Sequence, residues 1–290
     1  MEDQIRVIAL VLNWRDKEST VSCVDSIIQN TEVYRVVIID NASGDLSVDH
    51  FKAVYGGNSK VDVIENDINS GYGGGNNFGI NFVEQTYGQD NYIWIVNNDS
   101  YIRNNALESM MDIIDDESYV GSVIVQTDEE HIECYGGGKL YPLLGKAKLF
   151  GKGTHVRDIS KLNGYPDYIM GCSLLLPPSF FKKVGYFDEK FFMYSEEIDL
   201  QKRAYSKGYI GKVSSSSFVY HYGSKASDGK SASYFYYRNR AAIYLNIKHF
   251  SFFFSILSAL FLSVICIKDS KFNIKKYKAC IRGIVDAFSM

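Results

Sequence analysis

The sequence lacks the features that stabilise a small secreted domain or hold a structural metal. Its five cysteines form no CxxC pair and have no histidine nearby at zinc spacing. This pattern argues against both a disulfide framework and a structural zinc site. No basic and apolar leader precedes the first predicted strand, so we expect no secretion signal. We therefore expect a reduced, cytosolic environment for the chain.

The sequence also has no strong excess of either charge. The net charge is −3 over 290 residues, which excludes a global attraction to nucleic acid, and only the C-terminal end is locally basic. Hydrophobic residues make up 46% of the chain and charged residues 22%. This composition predicts one sizeable α/β domain with an appendage.

Short apolar runs alternate with helix-length segments in the first hundred residues. The runs cover residues 7–14, 36–41, 61–66 and 92–99. This rhythm predicts βαβ units on a parallel sheet that is buried on both faces. In such sheets the ligand lies beyond the carboxyl ends of the strands. Polar residues follow these ends: Asn13, Asp40, Asn41, Asn66, Asn97, Asn98 and Asp99.

After residue 120 the pattern favours a mixed sheet rather than further βαβ units. The run "GSVIVQ" predicts a strand, and the glycine-rich stretch from Tyr135 to Gly164 predicts loops on the substrate side. Pro177 and Pro178 end the strand "YIMGCSLLL" and predict a helix from Ser179.

The segment "NSGYGGGNNFG", residues 69–79, is rich in glycine. It predicts a loop whose free N–H groups face an anion, followed by a helix. The spacing does not match a G-x-G-x-x-G dinucleotide fingerprint, and the P-loop lysine is missing. A strand-to-helix turn without a ligand is the alternative.

Three carboxylates, Glu196, Glu197 and Asp199, follow the aromatic run "FFMY". Carboxylates crowded together and partly desolvated raise at least one pKa, so one of them is a candidate general base. The alternative is an ordinary helix N-terminus with Ser195 as N-cap and Lys202 and Arg203 as later partners.

The C-terminal region is apolar and flanked by basic residues. The run "FSFFFSILSALFLSVICI", residues 250–267, carries no charge, and its length is at the lower limit for crossing a bilayer. Ser251, Ser255 and Ser258 share one helical face, which favours an interfacial or re-entrant helix as much as a span. A buried core helix is the third interpretation.

Taken in order, these segments resemble glycosyltransferase family 2 in its bacterial rhamnosyltransferase-like branch. The resemblance rests on "VIALVLNW", "IIDNASGD", the glycine-rich segment, "VNND", "GCSLLL", the acidic run and "HYGS". It implies an α/β fold of GT-A type, a Rossmann-like mixed and mostly parallel sheet with a helical C-terminal extension. The domains implied are a catalytic domain over residues 1–228 and a helical, membrane-associated region over 229–290.

The resemblance also implies a nucleotide-diphosphate sugar as donor, with dTDP or UDP as its nucleotide. Asp40 is implied to face the nucleobase, and Asn69 and Gly71 to line the nucleoside pocket. The full implied donor-binding set is Asn13, Asp40, Asn41, Asn69, Gly71, Tyr72, Asn77, Asn97 and Asn98.

Asp99 matches the last acid of the family's Asp-x-Asp motif, which binds Mg²⁺ or Mn²⁺, and His221 matches a histidine that joins the metal in some relatives. The first acid is replaced by Asn97, which weakens the expected metal requirement. For a lone histidine, a structural loop position is the alternative.

Glu197 matches the catalytic base that deprotonates the acceptor, a position where aspartate is common. Glu196 and Asp199 are implied to orient acceptor and base.

Acceptor or phosphate contacts are expected at Gly171, Cys172, Arg238 and Arg240. We expect a polyprenyl-linked glycan as acceptor, in O-antigen or capsule synthesis at the cytoplasmic face of the bacterial inner membrane. Two rival functions stay open. One is a sugar-phosphate nucleotidyltransferase, and the other is an inactive sugar-nucleotide-binding protein at the membrane.

Overall fold

The computed structural model describes residues 6–29, 33–222 and 231–290. Its strands are β1 Val7–Asn13, β2 Val33–Asp40, β3 Val61–Glu65, β4 Tyr92–Asn97, β5 Ser100–Ile102, β6 Ser118–Val125, β7 Ile132–Tyr135, β8 Gly137–Tyr141, β9 Lys146–Leu149, β10 Tyr168–Ile169, β11 Ser173–Leu176 and β12 Ile210–His221. Its α-helices are α1 Lys17–Ile28, α2 Ser47–Tyr55, α3 Gly71–Tyr87, α4 Ala106–Met111, α5 Phe180–Val184, α6 Glu196–Tyr205, α7 Ala232–His249, α8 Phe252–Asp269 and α9 Ile274–Asp286.

The main sheet is mixed and mostly parallel on its N-terminal side, as the sequence predicted. In the described residues its strand order is β3-β2-β1-β4-β11-β6-β12-β5, and β7 pairs with β6. Strands β1 to β4 are parallel, whereas β11 is antiparallel to both β4 and β6. The switch from β4 to β11 brings the end of β4 beside the segment that leads into β11, where Asn97 N–H donates to the Cys172 carbonyl.

Alternation along the strands builds an apolar core on each face of this sheet. In β1, Ala9 and Val11 pack on the face with Phe51 of α2, whereas Ile8 and Leu10 pack on the face with Ile80 of α3. Because both faces are covered, the strands read as continuous apolar runs and their carboxyl ends form the open edge.

The glycine-rich segment is a helix start rather than the loop that the sequence predicted. Helix α3 begins at Gly71 and includes the following glycines. A side chain at Gly75 would lie 2.5 Å from Leu12 Cδ1. The glycines therefore allow α3 to pack closely on the end of β1, and this packing outweighs their poor helix propensity.

The C-terminal helices pack on a second, three-stranded sheet of order β10-β8-β9 and on α6. The predicted boundary between residues 228 and 229 lies outside the described residues. In α8 the serines predicted to form a polar face are the buried side: Ser255 and Ser258 are inaccessible, and Ser258 Oγ donates to the Pro142 carbonyl. Ser251 instead caps the helix, accepting from Phe254 N–H.

Candidate active site

The end of β1 is tied to the end of β2 by a buried polar network. Asn13 Nδ2 donates to Asp40 Oδ2 at 2.7 Å and to Ser43 Oγ at 3.1 Å, and Ser43 N–H donates to Asp40 Oδ1 at 2.8 Å. Asn13 and Asp40 are inaccessible to solvent. In this structure the two side chains therefore build the rim of the sheet, and their polar atoms are not presented to an open groove.

A second network joins Asn41 to the start of α3. Asn41 Nδ2 donates to Asn69 Oδ1 and to the Gly71 carbonyl, both at 3.1 Å. Asn69 Oδ1 also accepts from Gly71 N–H. Asn77 points elsewhere: it donates to the Phe187 carbonyl and to Glu189, so it clamps the segment before the acidic cluster. Of the three asparagines, Asn69 is partly accessible to solvent, whereas Asn41 and Asn77 are buried.

Pairing of β5 with β12 brings Asp99 and His221 together, as the family resemblance implied. His221 Nε2 lies 3.2 Å from Asp99 Oδ1, and Nδ1 lies 2.9 Å from Glu133 Oε2. Asp99 Oδ1 is buried and has no hydrogen-bond partner among the described residues. A buried carboxylate oxygen beside an imidazole nitrogen held by a second carboxylate fits a divalent cation.

Within the described part of the chain, no cluster of three or more histidine, cysteine, aspartate or glutamate side chains could hold a metal alone. A cation at Asp99 and His221 would therefore need oxygen ligands from the substrate and water, which Mg²⁺ and Mn²⁺ commonly take with substrate phosphates.

Tyr72 joins the start of α3 to the segment that leads into β11. Its hydroxyl donates to the Gly171 carbonyl at 2.9 Å. Burial raises the pKa of Tyr72 well above its usual value, and the charges of Glu197, Glu196 and Asp99 add to this effect. Tyr72 is therefore a neutral hydrogen-bond donor.

Cys172 does not reach an acceptor, contrary to the sequence-based expectation. The thiol is buried and contacts Ser100 Oγ at 3.2 Å beneath the edge of the sheet. Gly171 contributes its backbone, because a Cβ there would lie 2.6 Å from the Tyr72 hydroxyl. Among the asparagines of "VNND", Asn97 and Asn98 are half-buried at the rim, and Asn98 Nδ2 donates to Thr20 Oγ1.

Helix α6 begins at Glu196, but Ser195 makes no side-chain capping hydrogen bond and has a φ of 67°. Ser195 therefore occupies the N-cap position of the alternative interpretation but does not cap the helix with its side chain. Glu196 is buried, and its Oε2 has no hydrogen-bond partner in the described residues. Burial, with the nearby charge of Glu197, raises the pKa of Glu196 well above its usual value. This environment favours the neutral form of Glu196 over the charged form.

Glu197 is the member of the cluster that opens on a cavity. It lines a space of about 440 Å³ together with Tyr168, Tyr194 and Arg238. Burial raises the pKa of Glu197 to about 7. A carboxylate with this pKa that opens on a cavity can take a proton near neutral pH.

Asp199 forms a structural ion cluster and does not orient the acceptor, which corrects the role implied by resemblance. The fully buried carboxylate accepts from Arg203 Nε at 3.0 Å, Lys248 Nζ at 2.7 Å and His249 Nε2 at 2.8 Å. Burial alone would raise the pKa of Asp199, but His249, Lys248 and Arg203 lower it to about 2. These contacts tie α6 to the end of α7.

We expect Asp199→Asn to lower the free energy of unfolding by about 3 kcal/mol, because Arg203, Lys248 and His249 lose their shared buried partner. Since the native pKa is depressed, this stability is present above the usual pKa of 3.8 and is lost as the pH falls toward about 2. Urea denaturation at pH 7 and at pH 3 measures both effects. The exposed Asp115–Lys212 pair is the control, where Asp115→Asn is expected to cost much less than Asp199→Asn. Equal losses at the two sites would contradict the assignment.

The two arginines expected to bind phosphate have different environments. Arg240 donates to the carbonyls of Lys190 and Phe191, so it supports the turn before α6 and does not face a ligand. This corrects the expected role of Arg240. Arg238 lines the cavity and pairs with Asp269 at 3.1 Å.

Three residues at the rim were not identified from the sequence. Trp14 is 47% exposed at the end of β1, and the Arg15 guanidinium lies 5.2 Å from its ring centre. Glu133 holds Nδ1 of His221 from the neighbouring strand β7. The position of Trp14 directly after a predicted strand was an available signal for the first, but nothing in the sequence joins Glu133 to His221.

The model of Glycosyl transferase family 2 matches residues 9–176, which include β1, the rim and β11. The chain is 26% identical over 177 residues to Rhamnosyltransferase WbbL of Escherichia coli (strain K12), across 58% of this chain and 65% of WbbL. The chain thus matches somewhat less than two thirds of that relative's length.

Two solved structures show the fold. A crystal structure of GalNAc-T7 with UDP, GalNAc and Mn²⁺ has a TM-score of 0.68 at 12% identity, covering 100% of this chain and 57% of that one. The mannosyltransferase PcManGT from Pyrobaculum calidifontis, in complex with GDP-Man and Mn²⁺, has a TM-score of 0.61 at 11% identity, covering 99% and 75%. The GT-A-like architecture expected from the sequence is confirmed.

Proposed function

The chain belongs to glycosyl transferase family 2, and on this basis we propose that it is an inverting glycosyltransferase that uses a nucleotide-diphosphate sugar. The observation that carries the proposal is Glu197, a carboxylate with a pKa of about 7 that opens on a cavity between α6 and the C-terminal helices. A group with that pKa accepts a proton efficiently at neutral pH.

In the proposed reaction, Glu197 takes the proton from an acceptor hydroxyl. The acceptor oxygen forms a bond to the anomeric carbon while the bond from that carbon to the diphosphate breaks, and nucleoside diphosphate leaves. Attack opposite the leaving group inverts the anomeric configuration. Glu196, the buried neighbour of Glu197, has a raised pKa because of its burial and the charge of Glu197, so the pair disfavours two negative charges side by side.

The diphosphate needs positive charge as it leaves, and we propose Mg²⁺ or Mn²⁺ held by Asp99 and His221. When bound there, such a cation would supply the positive charge that stabilises the leaving diphosphate. Glu133 fixes the ring of His221 so that Nε2 faces Asp99. The presence of Mn²⁺ in the structures of GalNAc-T7 and PcManGT supports this proposal.

We further propose a dTDP- or UDP-linked donor, with rhamnose as the sugar, and a polyprenyl-linked glycan acceptor in O-antigen or capsule synthesis. The similarity to Rhamnosyltransferase WbbL supports rhamnose. The crystal structure of GalNAc-T7, which has a similar fold, contains UDP, and this supports a nucleoside diphosphate as the leaving group. Exposed Trp14 at the end of β1 offers an aromatic face for a nucleobase.

A thermal-shift screen against UDP-, dTDP- and GDP-sugars, with and without Mn²⁺, tests donor and metal together. A ligand that binds the folded chain raises the melting temperature. We expect one nucleotide class to stabilise the protein, more strongly with Mn²⁺, and the same donor to release nucleoside diphosphate on turnover. Release of inorganic pyrophosphate would instead indicate a nucleotidyltransferase, and binding without turnover an inactive binding protein.

We also propose that the protein acts at the cytoplasmic face of the inner membrane as a peripheral or monotopic protein. Among the described residues, α8 is the one helix long and apolar enough to cross a membrane, and 28% of it is buried. Its buried stripe is hydrogen-bonded to the globular part through Ser258, Pro142 and Asn246. A helix fixed in this way favours lying in the interface over crossing.

Replacing two exposed side chains of α8, in the double variant Phe253→Ser and Leu260→Ser, is expected to weaken vesicle binding at least about tenfold. These side chains are 77% and 62% exposed, so the fold does not depend on them. Co-sedimentation with vesicles containing anionic lipid measures binding. Leu46→Ser, at a 74% exposed position beside α2, is the control and should bind normally. Unchanged binding of the double variant would contradict the proposal.

A further inference from the structure

A cavity is built jointly by the sheet domain and the C-terminal helices. It has a volume of about 440 Å³, and its walls come from β9, α6, α7 and the turn 142–145 that packs on α8. Glu197 lies in the wall that α6 contributes. The cavity is therefore distinct from the donor rim, which is formed by the ends of β1, β2 and β4.

We propose that this cavity binds a lipid-linked acceptor by its sugar and by the phosphate attached to that sugar. The lipid of the acceptor lies along the exposed face of α8. The proposal rests on the proposed function, because it takes Glu197 as the base that activates the acceptor. It assigns to α7 and α8 a part of the substrate site in addition to the membrane contact.

The position of the cavity relative to the donor rim supports an acceptor rather than a donor. Glu197 belongs to the cavity, and the start of its helix contacts the start of α3, where a Cβ at Gly73 would lie 3.7 Å from Glu196 Cβ. At the start of α3, the Tyr72 hydroxyl donates to the carbonyl of Gly171, and the next residue, Cys172, accepts from Asn97 N–H at the end of β4. The helix that carries Glu197 is thus connected through α3 to the carboxyl end of β4, where the donor is proposed to bind. Proximity of this kind is the main requirement for transfer between two bound substrates.

The aromatic lining fits a carbohydrate. Tyr168, Tyr194 and Tyr234 contribute rings with polar ends, and Phe250 contributes an apolar ring. Such side chains combine an apolar surface for the C–H face of a sugar with groups that hydrogen-bond to its hydroxyls. A volume of this size is in the usual range for a small-molecule site.

The charged lining favours an anionic group on the acceptor. Lys146 and Arg238 share a single acid, Asp269, at 3.2 Å and 3.1 Å. Lys202 is a third cation in the lining and lies 5.0 Å from the ring centre of Phe250. Cations therefore exceed fixed negative charges in this wall, and arginine and lysine are suited to binding phosphate.

The lipid end is placed by the contact of α8 with the cavity wall. A Cβ at Gly145 in this wall would lie 2.9 Å from Leu262 of α8, and Ser258 donates to the Pro142 carbonyl. The opposite side of α8 exposes Phe253, Leu260 and Val264. An acceptor whose charged sugar end lies in the cavity would thus find the apolar surface of α8 beside it, where its apolar tail can lie.

Ala147→Trp tests the cavity without disturbing the core. Ala147 is an exposed residue of β9 that lines the cavity, so a large side chain there obstructs the space. Lys148→Trp is the matched control, since the next residue of a strand points to the opposite face and Lys148 does not line the cavity. The probes are decyl-linked hexoses and N-acetylhexosamines, each prepared as a neutral glycoside and as a diphosphate diester.

We expect Ala147→Trp to lower kcat/KM for the diphosphate-linked probe at least about tenfold, with unchanged donor hydrolysis by water, while Lys148→Trp matches the wild type. We also expect wild-type protein to prefer the diphosphate probe to the neutral one. Equal transfer by both variants, equal loss in both, or no preference for the anionic probe would overturn the inference while leaving the proposed function intact. Wild-type protein that neither hydrolyses a donor nor transfers its sugar would overturn both.

Discussion

Glu197→Gln is expected to lower the turnover number about 10²- to 10⁴-fold while donor affinity stays the same. Glutamine keeps the size of the side chain but cannot take the proton of the acceptor hydroxyl. Steady-state kinetics with saturating acceptor, together with calorimetric titration of the donor, separates the two quantities. Full turnover in this variant would remove Glu197 as the base.

The pH profile gives an independent readout of the same group. Because burial raises the pKa of Glu197 to about 7, the base is ionised above that pH and protonated below it. The rate of the wild-type protein should therefore rise with pH through about 7 and level off above it. In Glu197→Gln this step should be absent from the residual rate.

Glu196→Gln is the matched comparison one position earlier. Because Glu196 is buried and does not line the cavity, glutamine keeps its size without removing a group that reaches an acceptor, and we expect a loss of at most about tenfold. A loss as large as that of Glu197→Gln would mean that the two carboxyls act as one proton-sharing unit.

Gly71→Ala is expected to lower the free energy of unfolding by about 3 kcal/mol and to abolish most of the activity. Gly71 has a φ of 75°, and a Cβ there would lie 2.0 Å from the Phe192 carbonyl oxygen. That oxygen accepts from Tyr72 N–H at 2.8 Å. An alanine would push apart the start of α3 and the segment that leads into Glu196.

Gly153→Ala isolates the steric part of this effect. Gly153 has a similar φ of 81°, but a Cβ there would meet nothing within 4 Å. Gly153→Ala should therefore lower the free energy of unfolding only by the backbone strain, about 1–2 kcal/mol. Chemical denaturation of both variants gives the difference. Equal losses would show that the contact with Phe192 is not a constraint on the fold.

The local patterns of the sequence predicted much of the fold because parallel strands buried on both faces read as continuous apolar runs. The first four runs correspond to β1 to β4, and their polar ends lie at one edge of the sheet. The glycine-rich segment was less predictable. Its helix depends on the close approach of Leu12 to Gly75, which is a contact between distant segments.

In the acidic cluster, too, the sequence predicted one part of the result and the tertiary structure was needed for the other. Spacing alone could not assign different roles to Glu196, Glu197 and Asp199. Their surroundings do: the first is buried without a partner, the second opens on the cavity, and the third is paired with Lys248 and His249 from α7. The roles depend on the packing of α7 against α6.

By itself, the order of motifs determined the family, the α/β architecture and the edge of the sheet where chemistry is expected, since these follow from local patterns along the chain. The tertiary structure decided which of the three carboxylates opens on a cavity, which arginine lines that cavity, and where the cavity lies. Desolvation and charge pairing depend on groups far apart in the sequence, so only the packed structure sets them.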